Sequence, residues 1–297
     1  MRVTSMMKTT QLLGNLRNMN TNIQDWQNKL ATGQRIQKPS DDPVGVGYVM
    51  RYDTELSRSD EFLENSRTGN GILSTMDELM QQANDVLKRA KVITQQASTG
   101  TVPEDARKAI AAEMKQLKEQ LVLIGNSSYN GNYLFNGQKM DQRPYPSSTD
   151  AANAKTDTGV FYLNVSPSVS VPVSLTGEEI FGAAGDPDNT FKILDDAIAD
   201  LEANDQEKLL NDMDRFDIGA DRITKAWAEI GARTNRFELM ENRILDEQGT
   251  LKELRGKVAD VDMADAIMNL KIQENVLQAA LSTGARISQI SLIDYMR

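Results

Sequence analysis

The sequence predicts a mainly α protein with a β insertion: an elongated antiparallel helical rod, terminal coiled-coil helices and a small β-rich domain. Three observations carry that prediction. Near the start, Thr9, Leu12, Leu16, Met19, Ile23, Trp26 and Leu30 recur at steps of three and four, and near the end Met263, Ile267, Leu270, Leu277 and Leu281 keep the same phase, the spacing that lines one face of a helix. Two long interior stretches carry equally regular stripes. Between them the period falls to two, in Ser168 to Leu175, as in a strand with one buried face.

In chain order, the first helix is expected over residues 5–32, with Gly33 as its stop. Residues 34–40 have no apolar period and lead into Ser40-Asp41-Asp42-Pro43, where Asp42 reads as an N-cap and Pro43 as the first helical residue. A helix over residues 43–98 follows, with Ile72, Met76, Leu79, Ala83, Val86, Ala90, Ile93 and Ala97 in one stripe and Gly69 and Gly71 as candidate breaks. Unbroken, it spans about 80 Å. Thr101 and Glu104 read as a capping box opening a helix with Ile110, Met114, Leu117, Leu121 and Ile124 on one face, closed near Gly125-Asn126.

Tyr129 to Gly137 is turn-and-strand text, and residues 139–158 are polar loop. In the alternating strand, Pro172 argues for an edge position. Helices resume near Thr190. From Asp205 to about Leu254, Leu209, Met213, Phe216, Ala220, Ile223, Trp227, Ile230, Thr234, Phe237, Ile244 and Leu251 hold one phase, and a last helix runs from about Asp262 to Tyr295. A chain that goes out and returns as helices brings its ends together. The expected division is residues 1–40 with 256–297 as a terminal helical domain, 41–137 with 185–255 as the helical rod, and 138–184 as a separable β-rich outer domain.

Composition narrows the function. The 297 residues contain no cysteine and no histidine. That excludes disulfides and thiol nucleophiles and removes the commonest general base and metal ligand. No cofactor is expected. A net charge of −10 argues against nucleic acid. No run of about 18 apolar residues exists to span a membrane, and the first residues lack a secretory signal, so the residues alone suggest a cytoplasmic protein. Single amphipathic helices cannot bury their own stripes, so the terminal helices must pack on each other or on a neighbouring subunit. This is the profile of an assembly part. Leu12, Leu16, Met19, Ile23, Trp26, Leu30, Met263, Ile267, Leu270, Leu277 and Leu281 are the candidate interface.

Other motifs have simpler readings. Asp41-Asp42 is a cap before it is an acid pair. Asp214, Asp217 and Asp221 share a helix face beside the apolar stripe, and a solvated outer face accounts for them better than a cation site does. Asp186-Pro187-Asp188-Asn189 fails the calcium-loop pattern, because Phe191 stands where Gly is needed. Asn126-Ser127-Ser128 and Asn164-Val165-Ser166 match the glycosylation tripeptide as chance does.

Leu30-Ala31-Thr32-Gly33-Gln34-Arg35-Ile36 followed by Pro39-Ser40-Asp41-Asp42-Pro43 resembles the flagellin-family N-terminus, in the form found in the family's hook–filament junction branch. Asn132 to Gly137 is similar to the turn closing the family's first helical arm, and Ile230 to Phe237 to its returning arm. Asp260-Val261-Asp262-Met263-Ala264 and Ser291 to Met296 resemble its C-terminus. The resemblance implies an extracellular, non-enzymatic structural subunit of the bacterial flagellum joining hook to filament, exported through the flagellar type III channel without a cleavable signal. It implies terminal helices that stay loose until assembly. The implied partners are copies of itself, the hook-side hook-associated protein, flagellin and an export chaperone. A short flagellin is the alternative, and a carboxylate-based hydrolase on a helical scaffold is a third reading from another class.

Overall fold

A computed structural model describes residues 5–99 and 102–295. The elements are α1 (Ser5–Thr32), α2 (Pro43–Ser98), α3 (Glu104–Gly125), β1 (Ser128–Tyr129), β2 (Asn132–Tyr133), β3 (Tyr162–Ser166), β4 (Val169–Pro172), α4 (Gly177–Phe181), α5 (Thr190–Ala203), α6 (Gln206–Ala259) and α7 (Met263–Tyr295). The chain is mainly helical, with antiparallel pairs of long helices and a small inserted β region. It forms two compact units, Met1–Arg58 with Glu247–Arg297, and Ser59–Asp246. The expected boundaries lay near 40 and 256. Helices α2 and α6 each contribute residues to both units.

The core of the 59–246 unit follows from the interior stripes. On α2, Leu73, Met76, Met80, Ala83, Val86, Leu87, Ala90, Ile93 and Ala97 are buried, and on α6 so are Leu209, Phe216, Ile223, Ile230 and Phe237. Trp227 Nε1 on α6 donates to Asp77 Oδ1 on α2 at 2.5 Å, so the partly buried indole keeps a partner for its polar end. Helix α3 packs on α5, flanked by Lys118–Asp195 at 2.6 Å and Lys115–Glu202 at 2.7 Å.

One local expectation is corrected, and another falls partly outside the described residues. Gly69 and Gly71 do not interrupt α2. They make room: a Cβ at 69 would lie 2.5 Å from Phe237 Cε1, and one at 71 would lie 2.6 Å from the Tyr129 hydroxyl. Helix α3 has Pro103 as N-cap with no side-chain cap bond, and Thr101 lies outside the described residues. A capping box is present at Thr176 and Glu179, opening α4, where each side chain bonds the other residue's backbone N–H.

Among the described residues the strands form two separate antiparallel hairpins, β1–β2 just before the expected β-rich stretch of 138–184 and β3–β4 within it. Asn130 and Gly131 join β1 to β2 with φ of 51° and 83°, the pair of positive values that a two-residue hairpin turn requires. Val171, Val173 and Leu175 are buried as the alternation predicts. Yet Tyr145, Phe181 and these residues belong to the same hydrophobic cluster as the stripes of α2 and α6. Tyr145 meets Phe181 edge-on and lies 4.9 Å from Phe191, centroid to centroid. Asn126, the chance glycosylation match, exchanges two bonds with the Tyr145 backbone.

Candidate assembly surface

In the unit made by the chain's two ends, α1 packs antiparallel on α7. Ile23 is 9% exposed, and Leu12, Leu16, Met19, Trp26 and Leu30 are half-buried on the same face. Lys29 lies 4.7 Å over the Trp26 ring. The α7 side of the seam intersperses two leucines with small residues. Ala266 is fully buried, Leu270, Leu277 and Ala280 are half-buried, and a Cβ built at Gly284 would come 2.7 Å from Leu12 Cδ2. Small residues let two helices approach closely, which places large α1 side chains against the α7 backbone.

The sequence reading placed five α7 residues in one stripe, and the structure divides them. Leu270 and Leu277 border the seam, while Met263 (47%), Ile267 (51%) and Leu281 (53%) are exposed. Met268, Ile272 and Val276, absent from the stripe, are exposed with them. Helix α7 is apolar on more than one face, so the spacing of its large residues did not identify the face that packs on α1. The signal that could have done so was the run of small residues Ala266, Ala280 and Gly284. The outcome is a helix with one face on α1 and apolar side chains exposed on both flanks of that face, Met263, Ile267 and Leu281 on one and Met268, Ile272 and Val276 on the other, each a candidate interaction surface.

The junction beside this pair is closely specified. Gly33 ends α1 at φ 70°. Gln34 and Asp260 form an antiparallel bridge, with Arg35 N donating to Ala259 O at 2.6 Å and Val261 N to Gly33 O at 3.0 Å. Arg35 also reaches Val258 O at 2.9 Å and Asp42 Oδ2 at 3.3 Å. Ile36 and Ala259 are buried there. Asp42 caps α2 by accepting from Gly45 N at 2.9 Å. Asp41 accepts from Gln37 N and Lys38 N. These backbone N–H donors hold both carboxyls below the ordinary carboxylate range. Asp262 caps α7 through Ala264 N and Asp265 N. Two motifs from opposite ends of the sequence thus meet at one elbow.

The three aspartates singled out on α6 do not converge on a site. Asp214, Asp217 and Asp221 are exposed, and Asp217 pairs with Lys91. Among the described residues no group of three or more acidic side chains could hold a metal ion, and no helix is long and apolar enough to cross a membrane.

Residues 3–140 match the bacterial flagellin N-terminal helical region, and residues 213–296 match the bacterial flagellin C-terminal helical region. The chain belongs to the flagellin family. Its relatives within the family include flagellar hook-associated protein 3 of Escherichia coli (strain K12), 23% identical over 314 residues that cover 98% of each chain. They also include the flagellin of Bacillus subtilis (strain 168), 24% identical over 307 residues that cover 97% of each. The fold of this flagellin-family chain is shared with the crystal structure of Xanthomonas campestris FlgL, at a TM-score of 0.62 and 18% identity, covering 69% of this chain and 99% of that one.

Proposed function

We propose that this chain is an extracellular structural subunit of the bacterial flagellum that joins hook to filament. The observation that carries the reading is its end-to-end likeness to a hook-associated protein 3, which covers 98% of both chains. In this reading the two exposed apolar flanks of α7, one with Met263, Ile267 and Leu281 and the other with Met268, Ile272 and Val276, are the surfaces that assembly covers, and the stripe of α1 holds α7 in place. The partners are further copies of the chain, a hook-associated protein on the hook side, flagellin on the distal side and an export chaperone before assembly. The chain leaves the cell through the flagellar export channel. It needs no cofactor and catalyses nothing.

The similarity to Bacillus subtilis flagellin over 97% of each chain favours a second reading, a short flagellin. Capture assays with separately purified hook-side and filament subunits distinguish the two. The junction reading requires binding to both, and filaments lost from cells that lack the gene. Filaments built from this chain alone, with no affinity for the hook-side subunit, would establish the flagellin reading instead.

A further inference from the structure

The chain contains three Asn-Gly pairs, at 70–71, 130–131 and 136–137. At such a pair the glycine nitrogen can approach the preceding side-chain amide with no Cβ in the way. The fold puts the three in different circumstances. Asn70 lies inside α2, where the N–H of Gly71 belongs to the helical ladder. Its Nδ2 is turned toward Glu241 Oε2, and its Oδ1 is buried. Asn136 is 5% exposed and held at three points: Nδ2 donates to Lys139 O and Gln142 O, and Oδ1 accepts from Asp157 N, each at 3.0 Å. Neither side chain is free to swing toward the next residue's nitrogen.

Asn130 differs on every count. It is exposed, at the tip of the β1–β2 turn. The hairpin pairs Tyr129 with Asn132, and a two-residue turn of this type leaves the N–H of its second central residue, Gly131, outside the ladder. The side-chain amide and the nitrogen that can attack it therefore both face solvent.

We propose that Asn130 is a site of spontaneous modification, converting to aspartate and isoaspartate while Asn70 and Asn136 persist. The Gly131 nitrogen gives its proton to solvent base and attacks Asn130 Cγ. A bond forms between them, and the Cγ–Nδ2 bond breaks as ammonia leaves with its electron pair and a proton. Water then adds to one of the two carbonyls of the cyclic imide. Opening on one side yields aspartate, and on the other isoaspartate, with the backbone rerouted through Cβ. Nothing is oxidised or reduced. Either product adds a negative charge, and isoaspartate lengthens a turn whose geometry allows two residues. Asn130, Tyr129 and Tyr133 border an apolar cavity of about 190 Å³ floored by Ile72, Met76 and Phe161, so the new carboxylate arises at its mouth.

The test is prolonged incubation of the folded full chain in mildly alkaline buffer, followed by peptide mass spectrometry with fragmentation to localise the amide-to-acid mass gain. The gain is expected at residue 130, with isoaspartate present, and not at 70 or 136. In urea-unfolded chain all three positions should convert. An Asn130→Gly variant should lose the gain in that peptide entirely. Conversion at 70 or 136 as fast as at 130 in the folded chain would overturn the proposal. So would persistence of the Asn130 amide over a period in which the unfolded chain converts.

Discussion

Asp212 illustrates how a single side chain ties this fold to pH. It lies on α6 with 3% of its surface exposed, Oδ1 accepting from Arg215 at 3.1 Å and Oδ2 buried without a partner. Burial, reinforced by the nearby Asp200 and Asp196 carboxylates and opposed by Arg215, pushes its pKa up from 3.8 to about 6. A raised carboxyl pKa means the folded state holds the proton more tightly than the unfolded chain does. Stability from this group is therefore full below about pH 4 and is lost as pH rises to about 6, a change of the order of 3 kcal/mol. Urea midpoints taken across that window should show the decline. Asp212→Asn should flatten it, because Arg215 keeps Asp196 at 3.0 Å. Gly69 gives a second expectation at this scale. Ala is the better helix former by about 1 kcal/mol, but its methyl would meet the buried Phe237 ring at 2.5 Å. Overpacking of that kind costs about 1–3 kcal/mol. Gly69→Ala should lower the urea midpoint, whereas Gly231→Ala, which meets open space in the middle of α6, should not.

Among the elements, α7 separates two roles that its sequence merges. Ile267→Asp with Ile272→Asp changes only exposed positions, so the free chain's thermal midpoint should move by about 0.5 kcal/mol or less in stability terms, while co-assembly with filament subunits fails. Leu277→Asp places a charge at the border of the α1 seam and should loosen the free chain as well. Sedimentation of assembled material beside thermal melts distinguishes the two. Long periodic elements were legible in advance: the limits of α1 and α2, the stop at Gly33 and the cap at Asp42 all appear in the structure. Legibility failed where one local signal permits two outcomes. Thr176 and Glu179 form a capping box that the sequence reading did not pick out, while α3 begins after Pro103 with no side-chain cap bond from that residue. Asp262 as the cap of α7 and the Gln34–Asp260 bridge went unread because their partners are tertiary or belong to an element whose start was set only approximately.

For the molecule as a whole, residues 138–184 bear most on how the chain unfolds. Read as text, they are a polar, separable insertion. In the structure Phe181 is wedged among Tyr145, Phe135 and Phe191, and burying one such ring contributes about 1.5–3 kcal/mol. Removing 141–182 with a short linker should therefore abolish cooperative unfolding of the 59–246 unit, which circular dichroism during urea titration would detect. A sharp transition with native helix content would return the stretch to the status of an independent module.

The elbow where Gly33, Arg35, Ala259 and Val261 exchange backbone bonds also sets how the chain responds to load. Leu12 lies beside Gly284, so the outer parts of α1 and α7 are neighbours, and tension applied to the two termini in opposite directions peels that pair open from one end. Each step breaks only the next few seam contacts, as in a zip fastener, instead of shearing the whole interface at once. The peeling front then reaches the elbow, where two backbone bonds and the Arg35 side chain cross between the strands together. A force–extension trace on the tethered chain should begin with a long, low plateau and then show an abrupt peak at that point. Arg35→Ala should shrink the peak and leave the plateau where it was.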